Sequence, residues 1–413
     1  MTVYFTLINM KMTGIKALLL LAVLHFNIFT AEAETIRNEE CRECHPDIYK
    51  QWSKSSHSRS ATDTLFLNMY NGTEAFGFKG WRPGYKLDFP HTAGNCAACH
   101  DPLSAEAAPL TTDINTVEKS ENISCVFCHS VKGIELHPGG KMPGILSFKL
   151  KKEKGSCPNS APSLLRKSEF CAPCHIARFW DVPIFNTYME WRESPYYKQG
   201  IQCQDCHMPD ANHEVKGSAD RDFLSSAVEL ELEGKIDEVV EVLVRVKNKG
   251  AGHLFPTGHP MRNLILVIEA RDDSGSHVNY LGREKVPAYG GTYRGKPGKG
   301  FAMLLGEVYH ELCFNPSAKN TPARIGQNIS RVKEEKKLYA QPFWRHTYVE
   351  QDTRIQPSAT DTSTYQFEIP DAQHVTIQAS LIYRRAFEPL ARYKGWELKD
   401  IPVGEESLKL FLY

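Results

Sequence analysis

Three things are scarce in this sequence of 413 residues, and each scarcity removes a class of protein. Net charge is the first. Lys plus Arg and Asp plus Glu both number 49, so there is no global basic field to hold nucleic acid, or to hold the chain to a membrane by charge alone. Nucleic acid is therefore not an expected partner. Long apolar runs are the second. Beyond Ala17 to Leu24 nothing approaches the roughly 18–20 residues of a bilayer-spanning helix, so no transmembrane segment is expected once that run is removed. The third is aliphatic periodicity between Cys41 and His207, where Gly, Pro, Asn and Ser break every pattern. That stretch shows no protein core of its own, although 41% of the whole chain is hydrophobic, the composition of a folded protein.

What the stretch does have is cysteine. Ten of the twelve cysteines fall in five copies of Cys-x-x-Cys-His: Cys41, Cys44 and His45; Cys96, Cys99 and His100; Cys125, Cys128 and His129; Cys171, Cys174 and His175; Cys203, Cys206 and His207. Chance would place roughly a hundredth of one such motif in a chain of this composition. Two thiols so spaced can form thioethers to the vinyl groups on one side of a porphyrin, and the next residue then offers its imidazole to the iron as proximal ligand. Zinc sites also use Cys-x-x-Cys but need no His immediately after it, and a redox dithiol occurs once beside a βαβ pattern. The expected cofactors are five covalently attached haem c. Their apolar plates would stand in for the missing core.

The first 33 residues read as a secretory signal: Lys11 and Lys16, then the apolar run, then Ala31-Glu32-Ala33 as a small-x-small cleavage site. Met10 and Met12 are alternative starts. The nearest cysteine to that site is Cys41, so a lipidated N-terminus is not indicated. The mature chain would begin near Glu34 and be exported, to the periplasm or the cell exterior.

Each iron also has a sixth position, closed by a second His in an electron-transfer haem and open in a ligand-binding one. Ten further histidines are available after the signal. His213 follows His207 by six residues and His57 follows His45 by twelve. A six-residue span reaches about 20 Å, but serving the same iron would mean doubling back around a haem edge, so donation to a neighbouring haem is easier. His253 and His259 sit in Gly250-Ala251-Gly252-His253-Leu254-Phe255-Pro256-Thr257-Gly258-His259-Pro260, a loop whose Gly and Pro fix its shape. These four are the main distal candidates. His91 and His137 stand evenly between ligand and surface roles, whereas His277, His310, His346 and His374 are expected to be structural or surface residues. Met208 cannot fold over to the far face of its own haem and is expected to pack. Cys157 and Cys313 form either one disulfide or two buried thiols.

Past about Phe223 the texture changes to period two: Val228, Leu230, Leu232; Val240 to Val246; Leu264, Leu266, Ile268; Val375 to Tyr383. Turn residues such as Asn248-Lys249-Gly250 separate the runs. The expected fold class is α+β multidomain: a signal over 1–33, a loop- and helix-containing multihaem domain over 34–222, and an all-β sandwich-like domain over 223–413 with a long irregular insertion from about Pro287 to Asp361.

Two runs carry a resemblance: Cys41-x-x-Cys44-His45 with Tyr49, Trp52, Ser56 and His57, and Cys171-x-x-Cys174-His175 with Asn186-Thr187, Glu190-Trp191, Ser194-Pro195-Tyr196 and Cys203-Gln204-x-Cys206-His207-Met208-Pro209. They resemble the multihaem cytochrome c family, which includes the tetrahaem electron acceptor of hydroxylamine oxidoreductase. The Gly252-His253-x-x-Pro256-Thr257-Gly258 loop, Asp352-Thr353-Arg354-Ile355 and Tyr383-Arg384-Arg385 are similar to a β domain appended to exported members. The resemblance implies electron transfer through stacked haems, with His57 and His213 as distal ligands of neighbouring haems. No Cys-x-x-Cys-Lys is present, which removes the main support for pentahaem nitrite reduction.

The expected function is an exported pentahaem cytochrome that relays single electrons between redox proteins, with no catalytic residue. The alternatives are a multihaem oxidoreductase acting on a small nitrogen or sulfur compound at one five-coordinate iron, and a docking component of a surface electron-transfer complex. Arg262 is a candidate partner for haem propionates. Without the signal the chain carries 47 basic and 48 acidic residues. Five ferric haems, each with two ionised propionates, would take it to about −6, so redox partners are expected to dock through basic patches.

Overall fold

The computed structural model describes residues 37–106, 108, 110–117, 120–136, 146–150, 162–307 and 341–412. The signal, His137, His310, Cys157 and Cys313 lie outside them.

The chain folds as a helical, loop-rich region followed by a β-rich one. The first carries two small hairpins, β1 (Val131–Leu136) with β2 (Leu146–Leu150) and β3 (Ala177–Phe179) with β4 (Val182–Phe185). Its apolar clusters are small. One gathers Ala61, Tyr70, Ala97, Ala105 and Ile114, another Ala172, Tyr188 and Trp191, as the broken periodicity leads one to expect.

The β-rich region holds β5 (Val228–Ile236), β6 (Val240–Asn248), β7 (Asn263–Asp272), β8 (Gly298–Glu307), β9 (Thr347–Asp352), β10 (Thr360–Phe367), β11 (His374–Arg384) and β12 (Ile401–Phe411). They form two antiparallel sheets, ordered β10-β6-β5 and β12-β11-β7-β8-β9. Strand β6 buries Val240, Val242, Val244 and Val246 on one face, against Leu266, Ile377 and Tyr365 in one shared core. Period two is visible here because the other face of β6 is only half buried.

The insertion expected over 287–361 is in part sheet. Strands β8 and β9 lie inside it, and β10 begins at Thr360. Their signal is weak for a physical reason: Phe301, Ala302 and Met303 are all buried, so β8 is covered on both sides and does not alternate. That second covering layer consists of Val286, Tyr289, Trp344, Phe387, Leu390 and Trp396, joined by Met69 from the helical region.

Two buried ionic ties hold the regions together. Asp88 accepts from Trp344 Nε1 at 2.9 Å and from Arg345 Nε and Nη2, each at 2.8 Å. Lys394 Nζ, fully buried, donates to the carbonyls of Thr73 (2.9 Å), Pro83 (2.8 Å) and Trp81.

Candidate haem centre

Each Cys-x-x-Cys-His occupies one helical turn: Asn38–Cys44, Cys96–His100, Cys125–Ser130, Ala172–His175 and Cys203–His207 supply them, with His45 and Cys171 at the caps. Positions i, i+3 and i+4 share a helix face, so both thiols and the imidazole of a motif point the same way. Local caps define the turns. Ser124 Oγ accepts from Phe127 N–H at 2.9 Å, and Asp205 accepts from Gln202 N–H at 2.7 Å. Bonds between motifs fix their spacing: Cys125 N–H donates to Asn38 Oδ1 and Cys203 N–H to Ser168 Oγ, both at 2.9 Å. Thiols of separate motifs become neighbours, Cys41 with Cys125, Cys99 with Cys174 and Cys171 with Cys203.

All ten motif cysteines and all five motif histidines line one cavity of about 1920 Å³, together with His57, His213, His253 and His259. That is roughly twice the upper end of the 300–1,000 Å³ of ordinary small-molecule sites, which suits several large cofactors. Burial pushes the thiols of Cys96 and Cys128 up to about 12, and burial together with the nearby Cys41 does the same for Cys125. Raised thiols of this kind are poor nucleophiles, whereas the hydrogen bond with Cys171 holds the Cys203 thiol lower, at about 7. Among the described residues no group of three or more His, Cys, Asp or Glu is placed to hold a bare metal ion.

Imidazole geometry tests the fit to haem iron. A metal–imidazole bond is about 2.0–2.1 Å and the ring centre lies about 1.1 Å behind the nitrogen, so two imidazoles across one metal have centroids about 6.3 Å apart. His207 and His253 are 6.3 Å apart with ring planes 19° from parallel; His129 and His213 are 6.4 Å apart at 15°. His57 lies beside His175; burial, then this neighbour, holds His175 down at about 3, while burial takes His57 to about 4. Both rings are thus kept neutral, as a ligand must be.

The outer ring nitrogens confirm the orientation. His100 Nδ1 bonds to Ser60 O at 2.6 Å, His207 Nδ1 to Lys216 O at 2.7 Å and His253 Nδ1 to Leu254 O at 2.9 Å. A carbonyl partner places the proton on Nδ1 and leaves the Nε2 lone pair for a metal. His213 Nδ1 is buried with no protein partner, an orphan polar atom that fits a ring belonging to a bound group.

His259 is the fourth of the main distal candidates. It lines the cavity near His100, and burial followed by Arg262 and His100 holds it at about 3. Its Nδ1, however, accepts the N–H of Met261 at 3.2 Å. That contact favours the tautomer with its proton on Nε2, while the burial of the ring and its His neighbour match those of His57. His91 is exposed and does not line the cavity. His277 is exposed, His374 packs on Phe411 and His346 on Trp180, all away from the cavity.

The loop between β6 and β7 presents His253 and His259 to the helical region. Phe255 pairs with Ile355 through both backbone bonds at 2.9 Å, and Asn248 Nδ2 donates to His253 O at 2.9 Å. A buried network braces it from the other side. Glu190 accepts from Thr257 Oγ1 at 2.6 Å and from Arg354 Nη1 at 2.9 Å. Sequence reading pointed to Glu190 and Arg354 but not to their pairing. It missed Phe66, stacked on His100 at 3.7 Å, and Ser60, which orients that ring. Arg262 lines the cavity, donates to Thr257 O at 3.0 Å and has no carboxylate partner among the described residues, as a propionate partner requires.

A cavity lined by repeated Cys-x-x-Cys-His motifs, crossed by paired imidazoles and closed by a β-rich unit is the arrangement of a multihaem cytochrome c with an appended β domain, and the chain is similar to that class. Residues 40–130 match the family described as cytochrome c554 and c-prime. The fold is similar to that of a penta-heme cytochrome c552 from Thermochromatium tepidum, with a TM-score of 0.65 and 22% identity over 91% of this chain and 99% of that one. No curated protein matches the chain.

Proposed function

We propose that the protein is an exported pentahaem cytochrome that relays single electrons between redox proteins. The observation that supports this most is the pair of imidazole couples, His129 with His213 and His207 with His253, at the span of one six-coordinate metal. Bound at the five motifs, haem supplies a one-electron iron couple; the chain's residues hold its place. The ten motif cysteines would anchor the macrocycles, and His45, His100, His129, His175 and His207 would bind from the proximal side. His57, His213, His253 and His259, which line the cavity, would supply distal ligands, and an iron closed in this way passes electrons without taking substrate. Export rests on the signal read over residues 1–33. A pyridine haemochrome assay should return five haems per chain, and mass spectrometry of the mature protein should place its start near Glu34. Fewer than five haems refutes the count.

A second reading has one observation behind it. His259 lines the cavity near His100 with its Nδ1 on the Met261 N–H, a polar side chain that would face a small nitrogen or sulfur compound bound there by an oxidoreductase. Low-temperature EPR decides. The relay predicts low-spin ferric iron at every haem closed by a second His and no iron that takes up added cyanide, whereas a high-spin iron that binds cyanide selects the second reading.

A further inference from the structure

Phe76 and Phe78 are 85% and 68% exposed, although both sit in a tightly built loop. Glu74 is buried and turns its carboxylate inward, where one oxygen accepts the N–H groups of Phe76 (2.9 Å) and Phe78 (2.8 Å). Glu74 N–H bonds to Phe78 O, Gly77 N–H to Glu74 O, and Ala75 N–H to Lys394 O. Gly77 and Gly80 take φ of +90° and +92° with nothing near their Cα atoms, a conformation that other residues resist. The base is the same Lys394 cluster that joins the two regions, and Trp81 packs on Tyr393 at 4.9 Å beneath it. A loop braced this heavily holds two phenylalanines out in solvent at a continuing cost, which calls for an occupant.

We propose that Phe76 and Phe78 form a membrane-docking knob that seats the cytochrome on an anionic lipid surface. Size argues against a protein partner. At about 200 Å² per ring the two expose roughly 300 Å², well short of the ~800 Å² that each side of a stable protein interface buries. A bilayer accepts isolated apolar side chains, and Trp and Tyr favour its headgroup region. Local charge is complementary. Lys79 is exposed beside the knob and Arg392, next to Tyr393, is 71% exposed. Glu388 and Asp400 balance Arg392 and Arg384 there, so Lys79 is the cation in excess beside the knob. With no global basic field on the chain, attachment has to rest mainly on apolar insertion, aided by Lys79.

Sedimentation of the haem-loaded protein with phosphatidylglycerol-rich vesicles, followed by Soret absorbance, tests the proposal. The wild type should pellet with these vesicles at about 0.15 M salt, where the net negative charge of the loaded protein is screened beyond roughly 8 Å, and less with pure phosphatidylcholine. The Phe76→Ser/Phe78→Ser variant should bind about tenfold more weakly or less with an unchanged Soret spectrum. Should the double variant misfold, Phe76→Ser alone and Lys79→Glu carry the test, each expected to weaken binding. Equal pelleting of wild type and variants, or no wild-type binding, overturns the proposal. So does a dimer in sedimentation velocity that the Phe variants abolish, which would make a second copy the occupant.

Discussion

Replacing His253 by Ala tests the coupling that carries the functional reading. The perturbation is confined to the ring. The loop is held by its backbone, with Asn248 Nδ2 on His253 O at 2.9 Å and Ala251 N–H on Asn248 Oδ1 at 3.0 Å, so the loop stays in place when the imidazole is lost. His57, the other imidazole that senses His207, also neighbours His175, where it would serve as that ring's partner. The expected magnitude is therefore one iron per molecule, about a fifth of the total on a five-haem count. Low-temperature EPR of the oxidised variant should gain a high-spin ferric signal integrating to one iron, and added imidazole should remove it. His213→Ala should do the same at His129. The double variant should yield two, because the couples share no ring and their effects add. High-spin content unchanged from wild type in His253→Ala would refute the pairing, and with it the idea that the β domain completes the ligand set of the helical region.

Three further outcomes follow from the buried ties. Lys394→Met strips the donor from the carbonyls of Thr73, Trp81 and Pro83, and should cost about 3–5 kcal/mol in denaturant unfolding followed by Soret absorbance. Burial alone would raise the Asp88 carboxyl, but Arg345, Trp344 and Arg82 hold it below its ordinary value. Its contribution is therefore complete above the unfolded carboxylate pKa of about 3.9 and lost as pH falls through the lower folded value. Melting temperature should drop below about pH 4, with a shallower slope in Asp88→Asn, which should also lose about 3 kcal/mol or more at neutral pH. Arg354→Lys cannot reach Glu190 and Asp352 together as the guanidinium does, at 2.9 and 2.6 Å. The released Glu190 should loosen Thr257 and shift the spectrum of the haem facing this loop, while a Lys79→Gln control should not.

What could be read from the sequence divides along a physical line. The five motifs were legible because thioether attachment is local: i, i+3 and i+4 on one turn contain the chemistry. Strand β6 was legible because one of its faces is wetter than the other, and β8 was not, because Phe301, Ala302 and Met303 are buried together. Distal pairing lies beyond such reading, since His129 meets His213 and His207 meets His253 only through the packing of distant segments. The loop from Gly250 to Pro260 makes the point most sharply. Its two histidines stand in the same Gly- and Pro-rich context and looked equivalent, yet His253 Nδ1 faces a carbonyl and His259 Nδ1 faces an N–H. One backbone partner exposes a lone pair and the other exposes a proton. Which nitrogen of each ring keeps its lone pair is set there by the backbone group that its Nδ1 meets, which no pattern of residue types encodes.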